Sequence, residues 1–179
     1  MKHKKKLLYV FIVCFLVAFT LVFTMFIKNN KSDKLNVLLG NKVEIEQIQL
    51  NDTFTSDFMD SNYLKELLIN DASKQIDGKI VKLSNLIKNS KNVYINIGSI
   101  DLNTLIEQDN INNKLNYDLQ LIERKLEIYF ANINIIKEKI IDINKKTNIC
   151  FISLSYPYSI NDDNIKEIYE KINEKLIKL

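Results

Sequence analysis

The chain has 179 residues, 46% hydrophobic and 26% charged, with a formal net charge of +3. One His and three Gly exclude a histidine-based metal centre and a glycine-rich loop that cradles phosphate. The positive charge does not argue for nucleic acid either: residues 1–34 carry seven Lys and one Asp, hence +6, which leaves residues 35–179 at −3.

Residues 1–6 form a basic tail, and Leu7 to Ile27 follow without a single charge. A helix of about 20 apolar residues crosses the hydrocarbon core of a bilayer, so this run is expected to anchor the chain in a membrane. A secretory signal peptide is the competing reading. Against it, the exit Phe26-Ile27-Lys28-Asn29-Asn30 has no small-x-small cleavage site, and Cys14, preceded by Ile12-Val13, is a poor match to a lipid-attachment site. Lys2, Lys4, Lys5 and Lys6 outweigh the cations that follow the span, which places the amino terminus in the cytoplasm and the rest outside. Residues 28–34 read as a linker, and residues 35–179 as one extracytoplasmic domain. Cys14 in the span and Cys150 in a later apolar strand cannot meet within one chain, so no disulfide framework is expected.

From Leu35 the pattern becomes that of an α/β protein. Leu35 to Leu39 reads as a strand closed by Gly40-Asn41, and Val43 to Leu50 alternates as a second. Ser61 caps a helix carrying Tyr63, Leu64, Leu67 and Leu68. Asp77-Gly78 breaks the chain, and Ile80, Leu83, Leu86 and Ile87 mark another amphipathic helix. The strand Val93 to Ile97 runs into the turn Gly98-Ser99, followed by Asp101. A helix is expected over 115–145, with Leu119, Ile122, Leu126, Tyr129, Ile133, Ile136, Ile140 and Ile143 on one face. It leads to the strand Ile149 to Ser155, which reads as buried on both faces of a parallel sheet. Tyr156-Pro157-Tyr158 ends that strand, and Asn161 or Asp162 caps a last helix with Ile165, Ile168, Tyr169, Ile172 and Leu176.

The carboxyl end of a strand in an open α/β sheet is where ligands bind, which singles out Gly98 to Asp101. Ser99 with Asp101 lacks an adjacent base, because the only histidine is His3 in the tail. Lys42 would be a base for a Ser-Lys arrangement if desolvated; a solvated turn lysine is the ordinary reading. Tyr156 and Tyr158 suit the lining of a sugar or peptide pocket, or plain rim packing. Asp71, Asp77, Glu107 and Asp109 show no metal-ligand spacing, Asp162-Asp163 reads as a helix start, and no cofactor is expected.

A Val-Leu-Leu-Gly strand after an anchor, a strand ending in Ile-Gly-Ser-x-Asp-Leu, a long helix and a strand ending in Leu-x-Tyr-Pro together resemble the SGNH, or GDSL, hydrolases. The resemblance covers roughly residues 35 to 178 and is specific mainly at Tyr94 to Leu102 and Phe151 to Pro157. It implies a flavodoxin-like three-layer α/β/α fold with a short parallel sheet, and a carboxylic-ester hydrolase ancestry with a Ser-His-Asp triad. The family's Gly-Asp-Ser falls on Gly40-Asn41-Lys42, which puts Lys42 in place of the nucleophile. Its Gly-x-Asn-Asp falls on Gly98-Ser99-Ile100-Asp101, which replaces the oxyanion-hole asparagine with Ile100; losing one such donor costs about 10²–10³ in rate. Its Asp-x-x-His lies beyond the last helix of this chain.

The resulting expectation is a degenerate, inactive member of that family, truncated after its last helix. It would act in binding or scaffolding at a bacterial cell envelope, a setting suggested by heavy use of Lys, Asn and Ile. Gly40, Asn41, Gly98, Ser99, Tyr156 and Tyr158 are its candidate binding residues, and an envelope protein, a glycan or a second copy its candidate partners. An esterase or deacetylase using Ser99 is one alternative. A structural protein that self-associates through residues 115–145 is another.

Overall fold

The computed structural model describes residues 35–43, 50–76 and 78–179. In chain order the elements are β1 (Leu35–Asn41), β2 (Asp52–Ser56), α1 (Ser61–Ile69), β3 (Ser73–Ile76), β4 (Lys79–Lys82), α2 (Leu83–Lys88), β5 (Ser90–Asn96), α3 (Ser99–Asn103), β6 (Ile106–Asp109), β7 (Lys114–Tyr117), α4 (Leu119–Ile143), β8 (Asn148–Phe151) and α5 (Asp163–Ile177). The expected apolar span at residues 7–27 lies outside the described residues. Among the described helices none is long and apolar enough to cross a membrane.

Four strands form a parallel sheet in the order β2-β1-β5-β8. The mixed α/β architecture expected from the alternating pattern is therefore present. The chain steps from β1 to one neighbour and then returns across it to build the other side, so the order reverses beside β1. Such a reversal opens a crevice at the carboxyl ends of the strands. β1 holds the centre, with Val37, Leu38 and Leu39 essentially without exposure, the apolar run of a strand covered on both faces.

Buried apolar strands fit alternative registers almost equally well. At the amino end of the sheet, Asn36, Asn92 and Asn148 stand level on β1, β5 and β8. Asn92 Nδ2 donates to Asn36 Oδ1 at 2.8 Å, and Asn148 Nδ2 to Asn92 Oδ1 at 2.9 Å. This polar ladder favours one register over its neighbours.

The helices gather around α4, whose Ile122, Tyr129, Ile133, Ile136 and Ile140 share one core with Val37, Leu39, Val93 and Ile95 of the sheet. α1, α2 and α3 pack on α4. α5 reaches it through Lys175, whose ammonium lies 3.9 Å from the centre of the Phe130 ring, and adds Ile165, Tyr169, Ile172 and Leu176 to the core. Leu38 points the other way and lines a depression with Val43, Leu50, Thr53 and Thr55. Among the described residues one helical layer thus covers one sheet face. Residues 44–49 of the β1–β2 connection are outside the described set.

Several elements differ from their sequence expectation. The second strand expected at Val43–Leu50 falls largely on residues 44–49, outside the described residues. The strand that pairs with β1 is Asp52–Ser56, too polar to stand out because it is an edge strand with only Phe54 buried. Residues 80–87 are not one helix. β4 pairs antiparallel with β3 around Gly78 and leaves Ile80 81% exposed before α2 begins. The long helix starts at Leu119, not 115, because 114–117 pair with β6 and Asp118 caps the helix by accepting from the N–H groups of Gln120 and Leu121. Leu119 consequently leaves the core, at 43% exposure.

The strand expected over 149–155 stops pairing as a strand at Phe151, with one further bond from Ile152 N–H to Ile95 O at 2.9 Å. It is half-buried rather than covered on both faces, because it is the outermost strand of the sheet. Beyond it, Asn173 of α5 acts as a substitute strand: its Oδ1 accepts from Leu154 N–H at 2.7 Å and its Nδ2 donates to Leu154 O at 2.8 Å.

Candidate functional site

The crevice at the order reversal is built around two glycines. Gly40 has φ +111°, and a Cβ there would lie 2.2 Å from the Asn96 carbonyl oxygen, so the approach of β1 to β5 admits no side chain. Gly98, with φ +116°, starts α3, and a Cβ there would press on the Tyr129 hydroxyl at 2.9 Å. That hydroxyl donates to Ile97 O at 3.3 Å. Both glycines are accounted for by chain packing.

Asn41, 8% exposed, follows at the end of β1. Its Oδ1 accepts from Met59 N–H at 2.8 Å and its Nδ2 donates to Met59 O at 2.9 Å, while Asn96 Nδ2 donates to the Asn41 carbonyl at 3.1 Å. One amide side chain thereby pins the β2–α1 loop over the crevice, and that pinning sets the position of Ser61. The Ser61 hydroxyl donates to Asp101 Oδ1 at 2.6 Å, and its backbone N–H donates to Oδ2 at 3.0 Å. Asn132 Nδ2 donates to Ser61 Oγ at 3.1 Å. The Asp101 carboxylate also sits at the amino end of α1, where the helix dipole favours a negative charge.

Beside this network lies a pocket of about 140 Å³, lined in part by Asp60, Ser61, Asp101, Thr104, Lys125 and Asn132. Burial pushes the Asp101 carboxyl above its ordinary range; the Ser61 hydrogen bonds oppose this and the neighbouring Asp60 reinforces it. A folded-state pKa above the unfolded value of about 3.9 means that the folded chain binds more protons within the window between them. Stability is therefore lost as the pH rises through that window. Asp101→Asn keeps an acceptor for the Ser61 N–H and removes the titration. The Tm of the parent minus that of the variant is expected to fall from pH 4 upward in thermal melts, and a flat difference would contradict the assignment.

The remaining sequence candidates are spread apart. Lys42 pairs with Asp57 at 3.1 Å, both well exposed, and lines the depression at Leu38 instead of the pocket at Asp101. An exposed pair of this kind contributes little. Ser99 opens α3, and its hydroxyl makes no hydrogen bond to a described residue. Tyr156 and Tyr158 stack edge to face at 5.4 Å and are tied into the protein, Tyr156 to Ile160 O at 2.5 Å and Tyr158 to Asn103 Oδ1 at 3.2 Å. Asn103 also accepts from Tyr169 at 2.9 Å.

Two members of the network do not stand out from the sequence as functional residues. Ser61 reads as a helix cap, but Asp60 is the cap, accepting from Tyr63 N–H at 2.7 Å, and Ser61 is the first helical residue. Asn132 is hidden among the apolar positions of α4, although a carboxamide between Tyr129 and Ile136 is the one polar break in that buried stripe and the signal that could have found it. Among the described residues no group of three or more His, Cys, Asp or Glu could hold a metal ion. No protein-family model matches the chain, and no curated protein matches it.

Proposed function

We propose that residues 35–179 are a non-catalytic, flavodoxin-like domain of SGNH-hydrolase type, held outside a bacterial membrane by residues 7–27 and used for binding or scaffolding at the cell envelope. The β2-β1-β5-β8 order is that of the first four strands of a flavodoxin-like sheet. The Gly98 to Asp101 turn lies at the carboxyl edge where that family keeps its chemistry. The observation that carries the inactive reading is the state of the hydroxyls. Ser61 Oγ is enclosed between Asp101 and Asn132 on a residue 1% exposed, and among the described residues no base makes a hydrogen bond to Ser99 Oγ. A serine needs an adjacent base to attack at neutral pH, and Lys42 is engaged with Asp57.

The test is hydrolysis of an activated acetyl ester by the full chain, checked for a cooperative melt. Turnover no faster than buffer is expected. Turnover that disappears with Ser99→Ala or Lys42→Ala would replace this reading with that of an active esterase or deacetylase.

The self-association alternative has one observation in its favour. Leu121, Ile128 and Ile135 are 37%, 55% and 36% exposed on α4, spaced seven residues apart along one side of the helix. The predicted apolar stripe itself, apart from Leu119, is spent on the protein's own core.

A further inference from the structure

Asn132 is only 4% exposed. The single hydroxyl hydrogen of Ser61 goes to Asp101, so Ser61 Oγ can only accept from Asn132, which must turn its Nδ2 inward and its Oδ1 away. No described residue donates to that oxygen. Yet among the described residues every enclosed side-chain nitrogen or oxygen has a partner. Asn132 Oδ1 therefore opens onto the 140 Å³ pocket that the residue lines.

Most of the other polar groups there are acceptors as well; the exceptions are Lys125 and Asn62, whose Oδ1 accepts from Lys65 at 2.7 Å and whose Nδ2 is a donor. Asp60 and Asp101 bring carboxylates. Thr104 gives its hydroxyl hydrogen to Ile100 O at 3.1 Å, which leaves its oxygen free only to accept. Lys125 is the one cation among the lining residues, and Ile100 and Ile128 supply apolar wall. A pocket of acceptors around two carboxylates calls for a ligand rich in donors and positively charged. Its volume holds roughly five water-sized groups.

We propose that this pocket binds a small molecule through a primary ammonium group, whose three N–H donors meet Asn132 Oδ1, Asp101 and the Asp60 side of the rim. Lys125 then faces whatever anionic end the ligand carries. The proposal stands apart from the hydrolase resemblance: ester turnover tests that reading, whereas occupancy of the pocket tests this one.

The experiment is a titration of the isotope-labelled full chain with ethanolamine, glycine and acetate, followed by amide NMR. Saturable shifts at Ser61, Asp101, Thr104 and Asn132 are expected with ethanolamine and glycine and not with acetate. Asp60→Ser keeps a capping oxygen for α1 and should weaken both ammonium ligands by about threefold to fivefold. Lys125→Gln should remove any preference for glycine, which separates an amino-acid-like ligand from an amino-alcohol headgroup. Shifts by acetate alone, no saturable shift up to tens of millimolar ammonium, or equal binding by Asp60→Ser would each overturn the proposal.

Discussion

Gly40→Ala is expected to lower the melting temperature by on the order of 10 °C and to broaden the transition. Two costs combine at this position. A non-glycine residue held at positive φ costs about 1–3 kcal/mol, and the methyl group would stand 2.2 Å from the Asn96 carbonyl oxygen, forcing apart the β1–β5 pair at the centre of the sheet. Overpacking of this kind costs a further 1–3 kcal/mol or so. A native domain is stable by only about 5–15 kcal/mol, and one of this size loses roughly 2–4 °C per kcal/mol. Gly78→Ala separates the two costs, because Gly78 has φ +76° and a Cβ there would meet nothing within 4 Å. Thermal melts in which both variants fell equally would show that the close approach of the strands contributes nothing.

Asn41→Ala is expected to cost on the order of 3 kcal/mol and to loosen the crevice before the fold as a whole. The substitution removes the partners of both backbone groups of Met59, a residue 1% exposed. Each buried group left without a partner costs about 1–3 kcal/mol. Since the same loop delivers Ser61 to Asp101, the amides of Met59 and Ser61 should exchange faster in the variant than those of β5, alongside a lower denaturant midpoint. Exchange that quickened uniformly across the sheet would mean that Asn41 supports the domain globally and does not position the loop. This makes Asn41 a positioning residue, a narrower role than the ligand contact its sequence position suggests.

The elements legible in the sequence are those whose signal is local and strong. β1, β5, α4 and α5 stand out because continuous apolar runs and long 3.6-residue stripes leave few alternatives. The segments that mislead share the opposite property. β2 is polar because it lies at an edge, and the break read at Asp77-Gly78 separates two short strands, β3 and β4, that pair with each other. Residues 114–117 carry the same apolar spacing as the helix that follows them, and only pairing with β6 draws them out of it.

The candidate site divides along the same line. Gly98 and Asp101 are legible because a glycine turn after a β-branched strand has few uses. Ser61 and Asn132 are not, since what joins them to Asp101 is a meeting of α1, α3 and α4 across 40 and 71 residues of chain.

By itself, the sequence determined the α/β class, the strand character of β1 and β5, the apolar face of the long helix and the absence of any histidine from residues 35–179. These follow from residue types and periodicity, which act over a few neighbours. Only the tertiary structure decided that the crevice is pinned shut by Asn41, that Ser61 is enclosed, and that the oxygen of Asn132 opens onto a pocket of acceptors. Those outcomes depend on which side chains reach one another once the sheet has closed, and hydrogen-bond partners so far apart leave no pattern along the chain.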